Sequence, residues 1–421
     1  MAAPVQAVQS ACDHDGAGSV MRTGRQVRFW GTGVALAGAL VLSAPLRAQS
    51  ADLAREIDAQ ADTLQAMDEE GGPQEPEEGG KVRFGKDLLI APIPVSNPAL
   101  GTGLAVTGVL YYNPKDEPTP WVTGVGAGYT STDTWGAGFY HQMSFGQDRF
   151  RVAAMGGYGD ARLNFYGIGP NAGDAGVSVD LRNRGTSAYL DGEVRLFDKG
   201  LLSNLHVGAR VSYLRIRSSI GIPTPNRPDL NLPTIERRST VSAIGPSFTF
   251  DTRNHPFNPS KGVLVTGTWM FGADFLGSDF EHRKLELLST GYFSLTDSTV
   301  LAVRKTACAV KGNAPFYDLC MFGKNGDLRG YEAGRYRDGA TWAFQLEVRQ
   351  RLTPKLGVVG FAGVGGIAAS SGDIWKHSHT LASGGAGLRY LASKANNVNL
   401  RFDVAWGKDG AAYYFGIGEA F

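Results

Sequence analysis

Asn204-Leu205-His206-Val207-Gly208-Ala209-Arg210-Val211-Ser212-Tyr213 decides how the rest of the chain is read. Leu205, Val207, Ala209, Val211 and Tyr213 fall on one face, and Asn204, His206, Gly208, Arg210 and Ser212 on the other. A period of two with one apolar and one polar face is a strand with unlike surroundings on its two sides. The pattern recurs. In 187–197, Ala188, Leu190, Val194 and Leu196 oppose Tyr189, Asp191, Glu193 and Arg195. In 284–295, Leu285, Leu287, Phe293 and Leu295 oppose Lys284 and Glu286. In 342–351, Trp342, Phe344, Leu346 and Val348 oppose Gln345, Glu347, Arg349 and Arg351. A sandwich also alternates, but it turns its charged faces to water. A membrane barrel turns apolar residues to lipid and polar ones to its lumen.

The spacing of these runs gives sixteen strands, near 84–92, 99–112, 120–129, 134–145, 149–160, 186–197, 203–215, 238–251, 261–272, 280–294, 299–310, 340–352, 356–368, 380–392, 397–407 and 411–421. Alternate connections are short, as in Gly146-Gln147-Asp148 and Thr353-Pro354-Lys355, while 161–185, 216–237 and 311–339 are long. An even count with short turns at one rim and long loops at the other is the habit of outer-membrane barrels. We therefore expect an all-β fold, a sixteen-stranded antiparallel transmembrane β-barrel with long extracellular loops and a short N-terminal periplasmic segment. Pro92 and Pro94 suit the first strand to a weakly paired edge. Arg304 and Lys305 are consecutive, so one of them faces lipid or sits near a strand end.

Composition agrees. Glycine is abundant, 57 of 421 residues, aromatics reach 10%, and charged residues are 19%, below the usual quarter or so. No run of eighteen apolar residues follows the first fifty positions, which argues against a helical membrane protein. Residues 1–48 read as a secretory signal with its start at Met21: Arg22, Arg25 and Arg28 lead an apolar core from Gly31 to Leu42, and Ala48 offers a small residue for cleavage. Residues 49–83 form an acidic periplasmic helix and linker. Between 51 and 80 ten acids face Arg55 alone, a net of −9; with +2 in residues 1–50 and +1 for the chain, 81–421 carry a net charge of +8. The barrel occupies 84–421. Cys12 precedes the expected start, and in an exported protein Cys308 and Cys320 become candidates for a disulfide worth about 3 kcal/mol.

One loop stands apart from the strand pattern. Lys324-Asn325-Gly326-Asp327-Leu328-Arg329-Gly330-Tyr331 is too polar for a lipid-facing strand and too glycine-rich for a helix. Gly330 permits a sharp turn, and Arg329 offers five donors in a rigid fork suited to a carboxylate.

Four stretches in order carry a resemblance to the BamA/TamA family of outer-membrane assembly barrels, also called bacterial surface antigens. Gly245-Pro246-Ser247-Phe248-Thr249-Phe250-Asp251-Thr252-Arg253 with Asn258-Pro259-Ser260-Lys261-Gly262 resembles its strand–turn segment. Leu328-Arg329-Gly330-Tyr331 resembles its inserted-loop motif, and Gly385-Ala386-Gly387-Leu388-Arg389-Tyr390 a late strand. Phe415-Gly416-Ile417-Gly418-Glu419-Ala420-Phe421 resembles its terminal assembly signal, with Phe415, Ile417 and Phe421 on the lipid face. The resemblance implies that this is an inserted extracellular loop, folded back into the barrel, and that Arg329 meets lumenal carboxylates. Alternation puts Glu347 and Asp403 on the inward face as candidates. Gly363 stands where the family often has an acid, which implies that the arginine uses another partner or is held less tightly. An acidic segment of about thirty residues is too short for the family's periplasmic repeats.

No nucleophile elbow, phosphate loop or zinc-type cysteine spacing is present, so we expect no enzyme, no cofactor and no nucleic-acid partner. His377 and His379 in a predicted loop, and Asp116-Glu117 near a turn, read as solvated. The resemblance implies assembly or translocation in the outer membrane of a Gram-negative cell. Insertion or export of an outer-membrane or secreted client would use a weak seam between strands 84–92 and 411–421. Expected partners are outer-membrane lipid, the barrel assembly machinery for the protein's own insertion, and a client or periplasmic partner. The alternative is a passive pore or structural surface antigen with the Arg329 loop as plug.

Overall fold

A computed structural model describes residues 88–97, 99–114, 117, 121–221, 235–255, 258–323, 327–393 and 397–421. The signal-like segment with Met21 and Cys12, the acidic linker, Asp116 and Lys324-Asn325-Gly326 lie outside the described residues.

Sixteen strands make one sheet. They are β1 (Leu88–Asn97), β2 (Gly101–Tyr112), β3 (Trp121–Thr130), β4 (Trp135–Phe145), β5 (Phe150–Phe165), β6 (Val179–Arg195), β7 (Leu205–Gly221) and β8 (Ile235–Asp251). Then follow β9 (Gly262–Gly272), β10 (His282–Ser294), β11 (Thr299–Gly312), β12 (Ala340–Arg351), β13 (Leu356–Ala368), β14 (His379–Ser393), β15 (Val398–Gly407) and β16 (Gly410–Ile417). Each pairs antiparallel with its chain neighbour from β1 to β9 and from β10 to β16. β9 and β10 lie side by side, and β16 meets β1. A short helix, α1 (Pro170–Ala175), sits in the loop after β5.

The faces are inverted relative to a soluble sandwich. Leu190, Val211, Ile244, Phe293, Val348 and Trp406 are exposed on the outside. Asp191, Glu193, Arg210, Lys284, Glu347, Arg349 and Asp403 are buried inside. Apolar side chains outward and charges inward is stable only with hydrocarbon outside. Among the described residues no helix is long and apolar enough to cross a membrane. Arg304 turns into the lumen and Lys305 is exposed on the outer face.

Several boundaries differ from the sequence expectation. β5 runs to Phe165, β6 starts at Val179 and β7 runs to Gly221. Above the apolar band the outward positions become charged, as at Asp160, Arg162, Arg182 and Arg184, so apolar alternation stops before the hydrogen-bonded ladder does. The first strand is 88–97 rather than 84–92. Glu117 is buried, not solvated. It accepts the backbone N–H groups of Gly146 (2.9 Å) and Gln147 (2.7 Å) and so caps the turn between β4 and β5.

The junction of β1 with β16 is sparsely paired. β1 pairs with β2 from Leu88 to Asn97 without interruption, but among the described residues it pairs with β16 only at Ser96 opposite Phe415. Pro92 and Pro94 have no N–H. The unbroken β1–β2 ladder must draw its donors from the alternate residues, which turns the two proline positions toward β16. Gly418, at φ +78°, then bends the chain away after Ile417. Missing donors on one strand and early departure of the other leave little to hold the junction shut.

Candidate functional site

The loop between β11 and β12 enters the lumen and is fastened at successive depths. Asp318 accepts from Lys284 Nζ at 2.6 Å and lies 2.7 Å from His282 Nε2, all three buried. Cys320 is disulfide-bonded to Cys308 of β11, with Cα atoms 5.7 Å apart. Phe322, Leu328, Tyr331 and Tyr336 pack on Ala343, Ile367 and Leu381 of β12–β14. Tyr331 donates to the Ala382 carbonyl at 2.7 Å, and Tyr414 Oη accepts from Gly330 N–H at 2.9 Å. Gly330 has φ +106°, and a Cβ there would stand 3.0 Å from the Gly407 nitrogen. Only glycine both turns this way and lets loop and β15 backbones approach so closely.

Arg329 is held by two carboxylates. Its Nη2 donates to Glu347 of β12 at 2.6 Å, and its Nη1 to Asp403 of β15 at 2.8 Å. The guanidinium carbon stands 3.5 Å from the centre of the Phe361 ring, a cation–π contact in a desolvated place. Arg349 Nε reaches Glu347 at 2.8 Å, Arg389 Nη1 reaches Asp403 at 2.6 Å, and Arg389 Nε reaches Glu419 at 2.7 Å. Three arginines and three carboxylates therefore balance in the lumen, bridging β12, β14, β15 and the residues after β16. A buried charge is tolerable on these terms, paired and hydrogen-bonded. Alternation singles out Glu347 and Asp403 but does not reveal Arg349, Arg389 and Glu419 as members of the same cluster. Arg349 shares the inward face of Glu347 two residues on, which is the signal that could have found it.

Gly363 has a spatial reason. A Cβ there would lie 2.9 Å from Leu328 Cδ1 and 2.7 Å from Gln345 Cγ. The position makes room for the loop rather than supplying a charge to it.

Nearer the long-loop rim, Tyr336 donates toward Asp174 of α1 (3.1 Å) and Asp409 (3.2 Å). Burial and these two carboxylates push its phenol above the ordinary range. Arg337 is buried between Phe165 and Phe316, and that burial pulls it down to about 10. His377 and His379 do not converge on a metal site: His377 is solvated, while His379 stacks on Tyr336. Among the described residues no three His, Cys, Asp or Glu side chains gather as metal ligands.

Phe421 does not share the lipid face with Phe415, which is exposed. It is buried in the lumen beside Tyr292 and Ala302, its ring facing the guanidinium groups of Arg304, Arg329 and Arg349. Arg349 donates to its backbone oxygen. The turn at Gly418 and the pull of Arg389 on Glu419 carry it inward. Replacing a buried phenylalanine with alanine costs about 3–5 kcal/mol. Phe421→Ala is thus expected to lower the temperature at which the folded barrel loses its compact gel mobility. Unchanged melting together with lower assembly yield would show that the residue matters for insertion rather than packing.

Residues 111–421 match the Omp85 superfamily domain. No curated protein sequence matches the chain. Among solved structures, CdiB from Escherichia coli aligns with TM-score 0.54 at 13% identity, over 83% of this chain and 63% of its own. BamA from Haemophilus ducreyi lacking POTRA domains 1–3 aligns with TM-score 0.51 at 12% identity, over 78% of this chain and 68% of its own. CdiB from Acinetobacter baumannii gives 0.51 at 13%, over 79% and 59%. The chain spans roughly three fifths to two thirds of these proteins' lengths, and the likeness is one of fold. With a sixteen-stranded apolar-out wall, a loop folded into its lumen and a domain match over most of its length, the chain belongs to the Omp85 superfamily of outer-membrane β-barrel proteins.

Proposed function

We propose that this barrel assembles or translocates a polypeptide client in the manner of BamA- and TamA-type proteins, by opening between β1 and β16. The observation that carries this reading is the seam, one register pair long, with two donorless prolines on one side. An unpaired edge is a template on which a further strand can pair. The lumenal arginine cluster supports it in a second way. It ties β12, β14 and β15 to the loop, so the wall beside the seam keeps its shape when β1 and β16 part. The resemblance to the assembly family and the fold shared with BamA and CdiB favour the same class. Ser96→Cys with Phe415→Cys places two thiols at the one paired position. Oxidising them is expected to abolish client insertion in cells that depend on this protein, with the barrel itself still folded. Undiminished insertion with the seam locked would end the proposal.

The second reading is a passive pore with the loop as plug. The fastening of the loop at Asp318, Cys320 and Arg329 favours it. Single-channel conductance that rises on deleting 315–338, without any assembly defect, distinguishes the two.

A further inference from the structure

The long-loop end of β5–β8 carries arginines on the outside of the wall. Register places Asp160 opposite Arg184, Arg184 opposite Arg217, and Arg217 opposite Arg238, so one row crosses four strands. One rung lower the row is Tyr158, Thr186, Arg215 and Thr240. The intervening residues Gly185 and Ile216 are buried toward the lumen, while Arg215 and Arg238 are exposed. Tyr158, Thr186 and the four arginines 184, 215, 217 and 238 line a cleft of about 330 Å³.

Among the described residues, carboxylates near this row are few. Asp160 is shared between Arg182 at 2.6 Å and Arg184 at 2.9 Å. Asp279 lies close by, its carboxylate held on the Thr240 backbone N–H at 2.6 Å. Neither Arg215 nor Arg238 has a carboxylate partner among the described residues. Like charges directly opposite on neighbouring strands repel, and an anion bound among them removes that repulsion.

The height of the row says which anion. Below it the same strands present Phe150, Leu190, Val211 and Ile244 to the outside. Tyr158 and Tyr213, both exposed, mark the upper edge of this apolar face, as aromatic girdles do in membrane barrels. From Phe150 to Tyr158 the strand climbs on the order of 20 Å once tilt is allowed for, enough to cross most of the hydrocarbon. The arginine row begins where the hydrocarbon ends, at the rim of long loops, which in bacterial barrels faces the cell exterior. Anions at that level are the phosphates of lipid headgroups, and the guanidinium fork matches phosphate oxygens two at a time.

We propose that Arg184, Arg215, Arg217 and Arg238 form a binding site for the phosphate-bearing headgroup of an outer-leaflet lipid. The site would fix one sector of the wall, roughly across the barrel from the β1–β16 seam, against the outer leaflet.

The test uses the purified full chain in a neutral detergent and three probes: a diphosphorylated glucosamine-based lipid, the same lipid enzymatically dephosphorylated, and inorganic phosphate. Binding is read by native mass spectrometry. Arg215→Gln with Arg238→Gln removes two exposed cations that make no ion pair among the described residues, and compact gel mobility checks that the barrel folds. Lys305→Gln, an exposed cation on β11, serves as a charge control. The diphosphorylated lipid is expected to bind the double variant roughly tenfold or more weakly than the wild type, the loss of two cations at an anionic headgroup. The control variant should match the wild type, and the dephosphorylated lipid should bind wild type and double variant alike, weakly. Equal retention of the diphosphorylated lipid by wild type and double variant would overturn the proposal. So would equal binding of both lipid forms by the wild type, or binding of inorganic phosphate with no lipid retained.

Discussion

Arg329→Ala is expected to free the loop from the lumen. The substitution removes the one cation that Glu347 and Asp403 both receive from the loop, at 2.6 and 2.8 Å, and the face contact with Phe361 at 3.5 Å. Glu347 keeps Arg349 and Asp403 keeps Arg389, but three buried carboxylates then face two arginines. Removing one member of a buried ion pair costs about 3–5 kcal/mol, and we place this change at the upper part of that span because two carboxylates are affected. Arg329→Lys keeps the charge but cannot reach two acids on different strands in one plane, so its effect should be intermediate. The measurement is protease protection of residues 313–339 in detergent-purified barrel, together with heat-modifiable mobility. The disulfide at Cys320 keeps the near half of the loop tethered, so cleavage should appear first between Asp327 and Arg335. An Arg329→Ala barrel as protected as the wild type, with unchanged mobility, would show that the cluster does not hold the loop.

How far the sequence reaches can be argued from particular residues. The wall was legible because lipid outside and charge inside imprint a period of two on the strands that cross the membrane. Glu347 and Asp403 are findable for the same reason, as the inward members of strands whose outward members are apolar. The same rule blinds the reading in two places. Where strands rise above the apolar band, Asp160, Arg162, Arg182 and Arg184 face outward too, the contrast between faces disappears, and from sequence β5 and β7 end early while β6 and β8 start late. After Ile417 the period breaks at Gly418, so extending the alternation puts Phe421 in lipid when it is in the lumen. Glu419 was invisible as a cluster member for that reason. Gly363 illustrates a third limit. A missing acid and a required absence of side chain look alike in a sequence, and only the contacts with Leu328 and Gln345 tell them apart.

The second fastening of the loop should be as costly to break, and its pH dependence gives it a separate signature. Asp318 is a loop residue buried against Lys284 and His282 of β10. Burial pushes its carboxyl up, but the charge of Lys284 and the hydrogen bond from His282 outweigh this and hold it at about 2. A carboxyl depressed below its unfolded value of roughly 3.9 contributes stability that is complete above that value and is lost as pH falls through about 2. Pepsin, active in that window, should leave the Phe316–Tyr317 bond intact at pH 4 and cut it increasingly as pH approaches 2. Asp318→Leu should permit the cut already at pH 4, because it takes away the carboxylate 2.6 Å from the buried Lys284 ammonium, and removing one member of a buried pair costs about 3–5 kcal/mol. Adding Lys284→Met removes the other member of the pair, and replacement of a buried pair by apolar groups of similar size is often neutral or stabilising. The double variant should therefore regain most of the protection at pH 4 and lose its dependence on pH between 4 and 2. If Asp318→Leu alone remained protected at pH 4, the loop would be held by its disulfide and by Arg329 without help from this pair. If the double variant were as exposed as the single one, the role of Asp318 would be to shape the backbone turn at Phe316–Asp318 rather than to neutralise Lys284.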